Sequence, residues 1–182
     1  MPSSKNSPPG TAAVFFDRDG VVNISPGEGF VSTWEDFQFT PGITDALGLC
    51  KENGYLTVLV TNQRAISLGL LDEGTLQAIH AQMQAALAEN GTAFDAIYAA
   101  VGDRTDPRRK PNPNMLLEAA SDLGLDLSQC LLIGDDPRDI ACARAGGLRA
   151  AIQLLGDKPE SPEAEASAKT VEELVGILRR LL

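Results

Sequence analysis

Short apolar runs alternate along the chain with longer stretches in which apolar residues recur every three or four positions. The runs cover residues 13–16, 55–60, 96–101, 130–133 and 149–155, and they are apolar almost without interruption. Such runs predict strands buried on both faces, as in a parallel sheet. The periodic stretches predict helices. Ile43, Ala46, Leu47 and Cys50 share one face, and Leu76, Ile79, His80, Met83 and Leu87 share another within residues 73–89. Met115, Leu116, Ala119 and Leu123 form a third stripe, opened by Pro113 and closed by Gly124. A short alanine-rich helix runs to Gly146-Gly147, and Leu174, Ile177, Leu178 and Leu181 make a last amphipathic one. Thr40 is read as the cap of the first helix with Pro41 in its first turn, and Thr170 with Glu173 as a capping pair for the last. Strand and helix alternate without internal repeat, so the expected fold is α/β, a doubly wound parallel sheet without a large cap domain. Residues 12–182 read as one domain behind a loose tail, 1–11. Residues 21–39 read as a hairpin or loop excursion around Pro26-Gly27-Glu28-Gly29, and residues 156–168 as an exposed loop.

The polar residues that end these strands carry the candidate chemistry. Asp17 and Asp19 follow the first strand, and Gly20 gives the chain freedom to turn immediately afterwards. Thr61 and Asn62 end the second, Arg109 and Lys110 lie in the loop after the third, and Asp135, Asp136 and Asp139 follow the fourth. Parallel strands deliver their carboxyl ends to one rim, which is where open α/β sheets bind ligands. Two aspartates one residue apart repel each other unless a cation or a shared proton is close, and a hard divalent ion such as Mg²⁺ takes oxygen ligands. Acids for a metal, a hydroxyl and an amide for phosphoryl oxygens, and a lysine to balance charge together suit phosphoryl transfer.

Composition narrows the setting. The chain has 182 residues, 43% hydrophobic and 22% charged, enough for a genuine core. No apolar run approaches the roughly 20 residues that span a bilayer, and the first residues lack the apolar core of a secretion signal, so a cytoplasmic protein is expected. The net charge of -10 argues against nucleic acid or anionic membrane as partner. Cys50, Cys130 and Cys142 are scattered in apolar segments and read as buried hydrophobes. His80, within a helix stripe, reads as structural. Trp34 fits packing or a substrate platform equally. Arg104, Arg108 and Arg109 read as anion contacts at the ligand edge.

Asp17-Arg18-Asp19-Gly20, Thr61-Asn62, Lys110-Pro111 and Gly134-Asp135-Asp136-x-x-Asp139 stand in the order and spacing of the four motifs of the haloacid dehalogenase (HAD) superfamily. With Asn23, Gln63 and Arg109, they resemble its capless histidinol-phosphatase and D-glycero-D-manno-heptose-1,7-bisphosphate phosphatase group. The resemblance implies an HAD-like Rossmannoid fold and a Mg²⁺-dependent phosphatase of a small phosphorylated metabolite, a sugar phosphate or bisphosphate. Asp17 would be nucleophile and metal ligand. Asp19 would be the general acid/base, with its backbone carbonyl on the metal. Thr61 and Asn62 would bind the phosphoryl group, Lys110 would balance its charge, and Arg109 would touch substrate phosphate. Asp135 would complete the metal shell, with Asp136 and Asp139 assisting from a second layer. Residues 99–108 contain no Cys or His, unlike the zinc loop that many members carry there, and Arg64-Ala65 stands where many members have Ser-Gly.

Three alternatives remain at this level: a histidinol-phosphate phosphatase, a polynucleotide 3′-phosphatase, which the net acidity disfavours, and a non-enzymatic phosphoryl-accepting regulatory module. The last pairs its acids after the first strand and its acceptor after the third, whereas here the third ends in Val101-Gly102-Asp103 and an acid pair ends the fourth. A monomer or homodimer is expected.

Overall fold

A computed structural model describes residues 11–156 and 158–182. Apart from Thr11, the expected N-terminal tail lies outside the described residues. The chain runs β1 (Ala13–Phe16), α1 (Ile43–Glu52), β2 (Leu56–Asn62), α2 (Arg64–Ser67), α3 (Glu73–Ala88), β3 (Ala96–Ala100), α4 (Asn114–Leu123), β4 (Leu131–Gly134), α5 (Pro137–Ala145), β5 (Ala150–Leu154), β6 (Ala166–Ala168) and α6 (Val171–Leu181).

The six strands form one parallel sheet in the order β3-β2-β1-β4-β5-β6. Alternation along β1 divides the core. Val14 and Phe16 face a cluster with Ile43 and Leu47 of α1, Ile79 and Met83 of α3, and Leu174 and Leu178 of α6. Ala13 and Phe15 face Met115 and Leu116 of α4 and Ile140 and Ala143 of α5. Each buried side chain of this size contributes roughly 1.5–3 kcal/mol, so a strand covered on both sides is anchored twice over. That is why β1 needs no polar alternation.

The chain leaves β1 towards β2 and β3 on one side and returns to β4, β5 and β6 on the other. The sheet therefore reverses its winding between β1 and β4, whose register pairs Phe16 with Ile133. A crevice opens above the carboxyl ends at such a reversal.

Two local expectations need correction. Thr40 does not cap α1: the cap is Gly42 at φ 81, with no side-chain bond, and the Thr40 hydroxyl is buried without a partner among the described residues. The left-handed turn that glycine permits swings the chain into the helix, and the Thr40 carbonyl takes the Ile43 amide at 3.1 Å. Residues 156–168 are not wholly loop. Ala166–Ala168 adds β6 beside Ile152–Leu154, a strand set by its neighbour in spite of poor propensity. The short α2 was not foreseen. Trp34 stacks on Phe37 at 5.1 Å between ring centres and packs with Phe39, a packing role away from the cleft.

Candidate active site

Asp17 leaves the end of β1, tied by its amide to the Ile133 carbonyl of β4 at 2.9 Å. Its Oδ1 accepts from the Arg18 amide at 2.8 Å and pairs with Lys110 Nζ at 2.8 Å. Among the described residues nothing donates to its Oδ2. Lys110 Nζ also meets Asp139 Oδ1 at 2.6 Å and donates to the Val60 carbonyl at 2.9 Å. The ammonium is thereby fixed between two carboxylates and the end of β2.

The Lys110 backbone is held from β2. Asn62 Nδ2 donates to the Lys110 carbonyl and Asn62 Oδ1 accepts from the Lys110 amide, each at 3.0 Å. Asn62 lines the cleft, and its amide is the clamp that presents Lys110. Thr61 is buried away from the cleft lining, and its hydroxyl accepts from Gln63 at 2.9 Å. The loop before Lys110, which lacks Cys and His, is closed by Asp106, whose carboxylate accepts from the Gly102 and Arg108 amides.

Asp135, Asp136 and Asp139 leave β4 at the start of α5. Asp136 caps the helix and Asp139 returns a bond to the Asp136 amide at 3.1 Å, a reciprocal capping box. Asp135 Oδ2 pairs with Lys158. Gly20, at φ 86, lies so close to Asp135 that a Cβ there would overlap its carboxylate.

Asp19 sits apart from the lysine. Its Oδ1 accepts from Arg18 Nε at 3.2 Å, Arg18 Nη2 at 3.1 Å and Asn23 Nδ2 at 3.0 Å; its Oδ2 accepts from Gln63 Nε2 at 3.1 Å and shares Arg18 Nη2 at 3.2 Å. Sequence reading missed the role of Arg18 altogether, because an arginine between two aspartates reads as a solvated turn. Here it is 0% exposed.

These residues share a cleft of about 330 Å³, lined by Asp17, Asp19, Asn62, Lys110, Asp135 and Asp139 and by the excursion around Pro26-Gly27. Arg109 also lines it, as expected. Arg108 does not: its guanidinium pairs with Glu118 at 2.9 Å, and Arg104 is exposed outside the lining, so of the three arginines expected at the ligand edge Arg109 is the one that lines the cleft. Arg64, Arg138 and Lys158 join Arg109 around the cleft.

The electrostatics follow from burial. Desolvation pushes the Asp17 carboxyl up to about 7 against the pull of Lys110, and Asp139 and Asp135 push it the same way. Burial likewise raises Asp135 despite Lys158. Burial alone would depress Lys110, but Asp139 and Asp17 outweigh it and hold the ammonium above the usual lysine range. One ammonium thus faces more carboxylate than it neutralises. Oxygens of Asp17, Asp135 and Asp139 lie within 4.8 Å of one another. An all-oxygen set with surplus negative charge fits a hard divalent cation.

Burial, and next the Arg18 cation, push the His80 imidazole from 6.5 down to about 4, with Asp19 opposing. A histidine held neutral in the native state adds stability above its unfolded value, and that share is lost as pH falls from 6.5 towards about 4. His80→Gln is expected to remove it. Thermal melts over that window should show the parent losing more stability than the variant; parallel curves would contradict this.

A family model described as HAD-hydrolase-like matches residues 107–175. The chain is 36% identical over 171 residues to the D-glycero-beta-D-manno-heptose-1,7-bisphosphate 7-phosphatase of Photorhabdus laumondii, covering 89% of this chain and 90% of that protein. Its likeness to the corresponding enzyme of Vibrio cholerae is also 36%, over 87% of this chain and 89% of that protein. The crystal structure of the D,D-heptose 1,7-bisphosphate phosphatase from B. bronchiseptica, complexed with magnesium and phosphate, superimposes with a TM-score of 0.83 at 28% identity, covering 94% of this chain and 99% of that one. No helix among the described residues is long and apolar enough to cross a membrane. The chain belongs to the HAD superfamily, in the phosphatase group that contains the D-glycero-beta-D-manno-heptose-1,7-bisphosphate 7-phosphatases.

Proposed function

We propose that this phosphatase is Mg²⁺-dependent, that it hydrolyses a sugar bisphosphate of the heptose-bisphosphate kind, and that it does so through a phosphoryl group carried on Asp17. The observation that carries this reading is the asymmetric hold on Asp17. Lys110 and the Arg18 amide fix Oδ1 at 2.8 Å each, leaving Oδ2 undonated among the described residues. A carboxylate fixed by one oxygen is oriented to attack with the other.

Asp17 Oδ2 attacks phosphorus in line, the phosphorus–oxygen bond to the sugar breaks, and the leaving oxygen takes the proton of Asp19. Asp19, now ionised, takes a proton from water, which attacks the same phosphorus; the bond to Asp17 breaks and inorganic phosphate leaves. Asp19 accepts bonds from three side chains but touches neither Lys110 nor Asp139, which suits a proton carrier separated from the nucleophile's charge. Both oxygens of Asp139 are engaged, by Lys110 and the Asp136 amide. Asp17 and Asp135 are therefore the carboxylates that would hold Mg²⁺, with the Asp19 carbonyl. When bound, the ion would offset charge on the phosphoryl group and on the carboxylates around it.

The cleft walls support a second anionic group on the substrate. Arg109 is only 9% exposed, and among the described residues its guanidinium makes one long bond, 3.4 Å, to the Gly102 carbonyl. Burial, and then Arg138 and Arg64, hold it below the usual arginine range. Arg64 has no side-chain hydrogen bond or ion pair among the described residues. Charge-assisted hydrogen bonds contribute about 1.5–3 kcal/mol, so Arg109→Ala should raise KM for a bisphosphate roughly 10–100-fold and leave a monophosphate nearly unchanged. Equal effects on both would contradict the assignment. A screen of phosphorylated metabolites with Mg²⁺, including sugar bisphosphates and histidinol phosphate, tests the whole reading by phosphate release. Sugar bisphosphates are expected to lead, and turnover of none of the compounds would end it.

A further inference from the structure

We propose that His80 is a positioning residue for the reaction: through Arg18 it fixes the direction in which Asp19 presents its proton. The inference rests on the reading of Asp19 as proton carrier.

Arg18 is fully buried between the site and α3, and every nitrogen of its guanidinium has a use. Nε and Nη2 bind the Asp19 carboxylate, and Nη1 faces His80 Nε2 at 3.3 Å. Arginine has no acceptor, so Nε2 accepts and the ring proton sits on Nδ1. Asp19 is the anion paired with Arg18 among the described residues, at 3.1 Å. Without the histidine acceptor, Nη1 would be a buried charged donor lacking its partner, which is costly enough to turn the guanidinium in search of another. Turning it would unseat Asp19, because the fork that meets His80 is the same rigid plane that meets the carboxylate.

The donors also distinguish the two oxygens of Asp19. Oδ1 takes three bonds, from Arg18 Nε, Arg18 Nη2 and Asn23, whereas Oδ2 takes Gln63 and a share of Nη2. Oδ1 is saturated, so the travelling proton belongs on Oδ2. Arg18 favours that oxygen by placing two of its three bonds on the other one, and His80 holds Arg18 in the plane required. His80 touches neither Asp17 nor Lys110, so its influence should be confined to proton delivery.

General acid catalysis matters most when the leaving oxygen is basic. This separates positioning of Asp19 from a general loss of structure. The test compares His80→Leu, which removes the acceptor, with His80→Gln, whose amide oxygen can replace it. Both are assayed with Mg²⁺ on aryl phosphates from 4-nitrophenyl to phenyl phosphate. General acid–base catalysis contributes about 10²–10⁴-fold. Loss of alignment in His80→Leu should therefore lower kcat/KM, which reads the step that expels the leaving oxygen and not the shared hydrolysis of the phosphorylated Asp17, by roughly 10-fold or more on phenyl phosphate, with 4-nitrophenyl phosphate within about 2-fold and His80→Gln near the parent on both. Equal losses on both substrates, no loss, or failure of His80→Gln to rescue would overturn the proposal. A parent protein that hydrolyses neither aryl phosphates nor sugar bisphosphates ends the reading of Asp17 and Asp19 on its own account; one that turns over only the bisphosphates leaves that reading in place. The crystal structure of His80→Leu then decides the positioning role: a displaced Arg18 guanidinium supports it, and an unmoved one overturns it.

Discussion

Asp17→Asn is expected to abolish phosphate release, by at least about 10³-fold, while the folded protein becomes no less stable. The two effects have separate causes. The amide cannot attack phosphorus, so the proposed covalent step has no substitute within reach: Asp135 is paired with Lys158 and Asp139 with Lys110. Stability responds to the charge balance instead. Burial already pushes the Asp17 carboxyl up to about 7 in the absence of a divalent ion, so its negative form is a burden on the cation-free fold. The substitution removes that burden and leaves Lys110 its partner in Asp139 at 2.6 Å. Phosphate release and chemical denaturation of the same preparation check both halves. Residual turnover within about tenfold of the parent would show that phosphorus is attacked by some other group.

Lys110→Met is expected to remove activity as well, but with the opposite effect on the fold. It takes the ammonium from between Asp17 and Asp139 and leaves two carboxylates buried without their counter-charge. Breaking a buried pair in this way costs roughly 3–5 kcal/mol, a large part of the stability of a domain this size. Adding Asp139→Asn to Lys110→Met should recover part of that loss without restoring turnover, since the two residues are in contact and their effects cannot be independent. Denaturant titration of the single and double variants reads the recovery directly. If Lys110→Met unfolded no more easily than the parent, the cluster would not be the electrostatic keystone of the rim.

How much of this could be read before the fold was known depended on the kind of signal each residue gave. Runs such as 13–16 and 130–133 are apolar at every position, as a strand covered on both faces requires. The four strand-end motifs followed from the same logic. Asp17, Lys110, Asp135 and Asp139 do meet, because parallel strands in register must deliver their ends together. Thr61 and Asn62 also stand at the end of β2, yet their contacts are to Gln63 and the Lys110 backbone. A hydroxyl and an amide look alike whether they hold a ligand or hold a loop.

What sequence could not show is which side chains turn inward. Arg18 and His80 are 62 positions apart and meet only because α3 packs across the end of β1. His80 was rightly placed in a buried stripe, but its partner there is a charged group of the site. β6 was hidden because Ala166, Ser167 and Ala168 have no strand character of their own and owe it to pairing with β5. Arg64 announced itself only as a departure from the group's pattern; its position on the cleft wall gave that departure a meaning.

The central claim is that phosphorus is bonded to Asp17 during turnover. Rapid acid quench of a single turnover with Mg²⁺, followed by borohydride reduction and mass spectrometry of the peptide spanning β1, tests it directly. The account predicts reduction of the Asp17 side chain to homoserine, which appears only when substrate is present. Full release of phosphate with an unmodified Asp17 peptide, or with the mark on another residue, would contradict it.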